Sequence, residues 1–192
     1  MDKAKNFNKG LVVLVGGTSG AGKDTVIEKL MQKNPKLFGK FVSYATRDPR
    51  PDEIDGVHYH FISEQEFLEK IESGEIIEHT TRHNEYKGMS DKIIDKMLAR
   101  RVIAIKSCEY MGVIGLRDYG YNLFAVYLSV PRDEVKRRLQ NRNCPPEELE
   151  HRLSDYDDHL STAKYFDVVV ENIDLEKCVD SIYELILQKY HK

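Results

Sequence analysis

The stretch Gly16 to Thr25, GGTSGAGKDT, holds residues suited to binding an anion. Gly17, Gly20 and Gly22 let the backbone turn its N–H groups inward around a polyphosphate, and a helix starting behind them adds the positive end of its dipole. Lys23 supplies a full charge to the same anion. Against the phosphate-loop pattern GxxxxGK[ST], Gly17, Gly22 and Lys23 match, Asp24 stands in the hydroxyl position and Thr25 comes one place later. The loop follows the apolar run Leu11 to Val15 and leads into the helical pattern Val26, Ile27, Leu30 and Met31, which is the context the motif requires. These residues predict a nucleoside triphosphate site.

A second group lies further along. Arg47 and Arg50, three apart in the polar, proline-broken segment ATRDPRPDEIDGVHYHF, can present planar forks to one phosphate, with Ser43 and Tyr59 adding hydroxyls. A third is basic: Lys136, Arg137, Arg138 and Arg142 crowd one helix, and Arg152 follows beyond Pro145-Pro146. His58 and His60 alternate on one strand, but a third ligand of matching spacing is not near them. Asp155, Asp157 and Asp158 are a solvated helix face.

Alternating strands and helices position these groups. Residues 40–44 predict a short second strand, and Val57, Tyr59 and Phe61 alternate as a small antiparallel strand. Ser63 and Glu66 form a capping box for a helix ending near Gly74, and strand character resumes over 75–80. Ser90 caps a helix through Arg100, Val102 to Ile105 is a buried strand, and Gly120 closes another helix. Leu123 to Val130 is the strongest strand. Pro131 starts the next helix, 143–148 is a mobile connection, and 149–160 is helical. Phe166 to Val170 and Leu175 to Leu187 complete the pattern. The fold class predicted is α/β, a parallel sheet covered by helices on both faces.

The chain's 192 residues, 41% of them hydrophobic, suffice for one substantial core. Its 29 basic and 32 acidic residues are interspersed and give a formal charge of -3, which offers no basic field for nucleic acid or an anionic membrane. Cys108, Cys144 and Cys178 show no metal-ligand or disulfide spacing and fit a reducing compartment. The polar start MDKAKNFNKG lacks a signal peptide's apolar segment, so a cytoplasmic location is expected.

Beyond the phosphate loop, the run SYATRDPRPDEIDGVHYHF, followed by GEIIE and EYKGMS, resembles guanylate kinase in order and spacing, from Leu11 to about Asn172. The resemblance implies a P-loop nucleoside monophosphate kinase fold: a core of 1–40, 91–137 and 155–192, a mixed α/β acceptor-binding insert at 41–90, and an arginine-bearing lid at 138–154. It implies ATP binding by Gly17, Ser19, Gly20, Ala21, Gly22, Lys23, Asp24 and Thr25, with Asn172 near the adenine. It implies acceptor binding by Ser43, Arg47, Arg50, Tyr59, Glu78 and Lys87, and charge neutralisation by Lys23, Arg47, Arg138, Arg142 and Arg152. Glu78 matches the base-reading carboxylate, which accepts from N1 and N2 of guanine and finds no donor at N1 of adenine. The cofactor implied is magnesium, entering with ATP, with Thr25 and Asp24 as oxygen donors. Monomer and homodimer both stay open.

Three positions depart from the family. Lys87 replaces a tyrosine that contacts phosphate, and Met89 replaces a hydroxyl that helps read guanine, with Ser90 able to substitute only after a backbone shift. Lys106 replaces an aspartate near the bound nucleotides, leaving Asp24 or Glu109 to orient the metal's waters. The reaction expected is phosphorylation of GMP or dGMP. A related kinase acting on another acceptor, such as ribose 1,5-bisphosphate, and a degenerate module that binds phosphoprotein are the alternatives.

Overall fold

The computed structural model describes residues 10–51, 53–82, 85–100, 102–142 and 144–191. The polar N-terminal stretch, apart from Gly10, lies outside them, as does Asn143 of the expected connection. Nine strands are present among the described residues: β1 (Val12–Gly17), β2 (Phe38–Lys40), β3 (Tyr44–Ala45), β4 (His60–Phe61), β5 (Ile76–Arg82), β6 (Glu85–Ser90), β7 (Ile103–Ser107), β8 (Leu123–Ser129) and β9 (Val168–Glu171). The helices are α1 (Lys23–Lys33), α2 (Glu64–Glu72), α3 (Asp91–Leu98), α4 (Tyr110–Tyr119), α5 (Arg132–Asn141), α6 (Pro146–Ser154), α7 (Tyr156–Ser161) and α8 (Leu175–Tyr190), with a 3-10 turn over Thr162–Tyr165.

The central sheet is parallel throughout, in the order β2-β7-β1-β8-β9. Strand β1 is apolar at consecutive positions because both of its faces are covered. Val13 and Val15 enter a core with residues of α1, α5 and α8, while Val12 and Leu14 enter a second core with residues of α3 and α4. Each fully buried Val or Leu here contributes about 1.5–3 kcal/mol through apolar burial. The carboxyl ends of β1, β7, β8 and β9 therefore sit on a firm base and deliver the loop at Gly17, Lys106 and Ser107, Pro131, and Asn172 to one edge. That edge is where parallel α/β sheets present their ligand sites.

The second sheet, β4-β3-β6-β5, differs from expectation in two ways. The strand expected over 40–44 is divided: β2 ends at Lys40 in the central sheet and β3 begins at Tyr44 in the small one, so the chain changes sheets between them. The segment before Phe61 pairs parallel to β3, and only His60 and Phe61 are extended. A turn precedes them, closed by Val57 and His58 amides donating to the Ile54 carbonyl and by the Ile54 amide donating to His58 Nδ1 at 3.0 Å. The expected helix over 149–160 is two helices, α6 and α7, and α6 already begins at Pro146 inside the expected connection. Ser63 and Ser90 cap α2 and α3 as their spacing predicts.

Candidate active site

The phosphate loop is shaped by backbone and by one distant side chain. Gly17 has a φ of +144°, and a Cβ there would stand 2.7 Å from the Leu128 carbonyl, so the loop's close passage over β8 requires glycine. Gly22 caps α1 in the left-handed region, with φ +87°. Lys23 folds back and donates to the Gly17 and Thr18 carbonyls at 2.9 and 3.0 Å. Burial lowers its pKa, while the Asp24 and Glu109 carboxylates oppose that shift. Asn172, 2% exposed at the end of β9, donates through Nδ2 to the Ala21 carbonyl at 2.8 Å. Its Oδ1 is buried without a hydrogen-bond partner.

The basic helix partly closes over this loop. Arg138 donates to the Asn172 carbonyl at 2.6 Å and to Glu134 at 2.7 Å, and Arg152 donates to Ser19 Oγ and Glu148. The lid boundary expected at 138 falls inside α5, so Arg138 is rooted in the same rigid helix as the core residue Val135. Arg142 does not join these two: it is exposed at the C-terminal end of α5. Asp24 accepts from Ser107 Oγ at 3.2 Å, and Thr25 is half-buried in the first turn of α1.

The second half-site is built on the small sheet. Arg47 is held by Glu53 through two bonds of 2.6 Å, and its guanidinium lies 5.4 Å from the Tyr59 ring centre. Arg47 Nε is buried and has no partner. The Arg47 fork, followed by the Arg50 amide, holds the Glu53 carboxyl down to about 2 despite burial. Ser43 is buried, whereas Arg50 and Lys87 are exposed. Burial pushes the Tyr59 phenol up; Lys87 is exposed as a residue, but partial desolvation of its ammonium end, and then Arg47, lower it.

Glu78 pairs with Met89 across β5 and β6. Burial pushes it up to about 7, Glu109 adds to the rise, and Lys106 opposes it. The approach of α4 depends on missing side chains: a Cβ on Gly112 would stand 2.6 Å from Met89 Cε, and one on Gly115 would stand 2.5 Å from Glu78 Cγ. Ser90 Oγ caps α3 by accepting from the Ile93 amide, so it does not replace a hydroxyl at position 89. Lys106 is 8% exposed, and burial lowers it to about 8.

Two half-sites, one shaped for a polyphosphate and one carrying two arginines and a half-buried carboxylate, therefore meet at the carboxyl edge of the sheet. The family model for guanylate kinase matches residues 8–189. The chain belongs to the guanylate kinase family. Membership makes it a phosphotransferase of that family. It is 34% identical over 183 residues to the guanylate kinase of Helicobacter pylori (strain 26695), covering 94% of this chain and 88% of that protein. It is 31% identical over 186 residues to that of Mycoplasmoides gallisepticum, covering 96% and 95%. The fold is shared with the crystal structure of guanylate kinase from Anaplasma phagocytophilum, with a TM-score of 0.76, 23% identity, and coverage of 95% of this chain and 87% of that one.

Sequence reasoning missed four contributors to this guanylate kinase family site. Glu53 lies six residues from Arg47 in an irregular segment, where spacing gives no rule for pairing. Ser107 reaches Asp24 only through sheet order, and Gly115 reaches Glu78 only through the packing of α4. Glu134 was missed although a local signal existed, since its pairs with Arg137 and Arg138 follow i,i+3 and i,i+4 helix spacing.

Proposed function

We propose that the protein transfers the γ-phosphoryl group of ATP to GMP or dGMP, giving ADP and GDP or dGDP. The observation that carries this reading is that the end of β7 touches both half-sites: Ser107 donates to Asp24 of the phosphate-loop helix at 3.2 Å, and Lys106 lies 5.3 Å from the Tyr59 ring of the insert. Two nucleotides bound there would lie end to end along the carboxyl edge of β7. The partners are ATP and the nucleoside monophosphate.

In this reading the loop N–H groups and Lys23 hold the ATP phosphates, with Gly17, Ser19, Gly20, Ala21, Gly22, Asp24 and Thr25 completing the cradle. Asn172, with its unpartnered Oδ1, accepts from the adenine side. Arg138 and Arg152 stand beside the loop, and Arg142 would join them only on closure of 138–154. The insert, 41–90, receives the acceptor: Arg47 offers its unpartnered Nε to the monophosphate with Arg50, Ser43, Tyr59 and Lys87, and Glu78 takes the guanine N1 and N2 donors. The monophosphate oxygen attacks in line. A protein nucleophile is not required, because phosphoryl transfer is mostly positioning and charge neutralisation.

The donors near Lys23 suit magnesium. Asp24, oriented by Ser107, and the Thr25 hydroxyl offer oxygen only, as a hard cation demands, and would hold the ion together with phosphate and water oxygens. The ion would neutralise the β and γ oxygens.

Free Cys108, Cys144 and Cys178 support a reducing, cytoplasmic setting, and among the described residues no helix is long and apolar enough to cross a membrane. The other acceptors and the binding-module reading are not favoured, since the ATP loop is intact and Glu78 is in place. A coupled ADP-release assay with MgATP, run separately on GMP, dGMP, AMP, IMP, UMP and ribose 1,5-bisphosphate, tests the reading. Selective turnover of GMP or dGMP is expected. Turnover of another acceptor alone would replace the substrate and keep the scaffold.

A further inference from the structure

Three cations crowd the Tyr59 ring. Its centre lies 5.4 Å from the Arg47 guanidinium, 5.8 Å from Lys87 Nζ and 5.3 Å from Lys106 Nζ. Arg47 is neutralised by Glu53. Lys87 and Lys106 have no ion pair or side-chain hydrogen bond among the described residues; both contact the Tyr59 ring, and Lys106 also lies 5.9 Å from the ring of Phe41. Lys106 is more than nine-tenths buried, where an unpaired ammonium is costly and where such groups mark sites that bind charge.

Its place in the sheet locates it further. Lys106 pairs with Leu14 of β1, and the next residue, Ser107, donates to Asp24 of the phosphate-loop helix at 3.2 Å, while the Glu78 carboxylate on β5 is near enough to feel the Lys106 charge. Lys106 therefore stands where the loop, the Tyr59 ring and the base-side carboxylate come together. Two unpaired ammonium groups beside one phenol match a single phosphate ester, whose charge at neutral pH is about -1.5 to -2.

We infer that Lys106 is a phosphate-binding residue of the transfer site, its ammonium contacting an oxygen of the acceptor's phosphate and completing with Arg47 and Lys87 a cationic cluster around Tyr59. This rests on the reading of the insert as a monophosphate site. It gives the replacement at position 106 a positive role: a point charge at the end of β7, fixed by the central sheet, meets the acceptor that the small sheet carries.

Calorimetric titration of the wild type, Lys106→Met and Lys106→Arg with GMP, guanosine and ribose 5-phosphate tests this. Methionine keeps the apolar stem and removes the charge, so Tm should rise. GMP and ribose 5-phosphate should bind Lys106→Met on the order of ten- to a hundredfold more weakly, the size expected for one charged hydrogen bond. Guanosine should stay within about twofold, and Lys106→Arg should recover part of the GMP affinity. Equal weakening of guanosine and GMP would assign Lys106 to the base, and unchanged GMP affinity would remove it from the site. A lower Tm with loss of every ligand would make its role structural; each of these results overturns the inference. If the wild type turned over no GMP, the guanylate kinase reading would fall, while ribose 5-phosphate binding to the two variants would still decide the phosphate contact.

Discussion

Glu53 grips Arg47 by both terminal nitrogens at 2.6 Å and leaves its Nε buried and unpartnered. The carboxylate thus fixes the plane of the guanidinium before any acceptor arrives, which is preorganisation of the kind that makes phosphate binding directional.

Replacing Glu53 by Gln should therefore act on the acceptor alone. KM for GMP should rise on the order of tenfold, the cost of about one charge-assisted hydrogen bond, with KM for ATP nearly unchanged. Because the folded-state pKa of Glu53 is depressed to about 2 from 4.5, its stabilisation is complete above 4.5 and is lost as pH falls toward 2. Acid titration of stability should show a larger loss in the wild type than in Glu53→Gln over that window. Equal losses would show that the pair is not formed in solution.

Glu78 gives the opposite sign. Its folded pKa is raised to about 7, so in the empty protein this group favours the folded state at low pH and the benefit fades as pH rises from about 4.5 through 7. Guanine needs the ionised carboxylate, so GMP affinity should increase with pH through about 7. Glu78→Gln should weaken GMP binding and flatten that profile, measured by calorimetry between pH 5.5 and 8.5. A wild-type profile without an inflection would remove Glu78 from the base site.

Gly115→Ala separates helix stability from site geometry. Alanine favours the helix by about 1 kcal/mol, yet its methyl would press on Glu78 Cγ and Cβ. Tm should change little while KM for GMP rises several-fold, and KM for ATP should not move. Unaltered GMP kinetics would mean that the seam between α4 and β5 relaxes freely.

Asn172→Ala removes the bond to the Ala21 carbonyl and leaves that acceptor exposed to the cavity so formed. A loss of about 1–2 kcal/mol in stability is expected from denaturant unfolding, with a rise in KM for ATP larger than that for GMP. An effect confined to GMP would place Asn172 outside the ATP site.

Asp24→Ala tests the metal. If Asp24 orients a magnesium-bound water, the magnesium concentration for half-maximal rate should rise on the order of tenfold. An unchanged requirement would leave Thr25 as the donor.

What could be read in advance divides by physical range. The loop from Gly17 to Lys23, the caps at Ser63 and Ser90 and the strand at β8 are local, set by φ preferences, neighbouring amides and apolar runs, and these were legible. The break between β2 and β3 was not, since Lys40 to Tyr44 has one continuous strand-like pattern and only the competition between two sheets divides it. The turn at 54–58 escaped because the Ile54 amide donates to the His58 ring, a bond that alternation cannot signal. Within the site, Arg47, Tyr59 and Glu78 came from resemblance to the guanylate kinase family. Their neighbours Glu53 and Gly115 came only from three-dimensional packing.

The bond from Asn172 to Ala21 also orders events in time. The phosphate loop leaves the ribosome well before the side chain that ties it to the sheet, which lies 151 residues further along the chain from Ala21, just after β9. A nascent chain ending before that strand would carry every residue of the loop motif and still lack its fastening, so tight ATP capture would report that synthesis had passed residue 172.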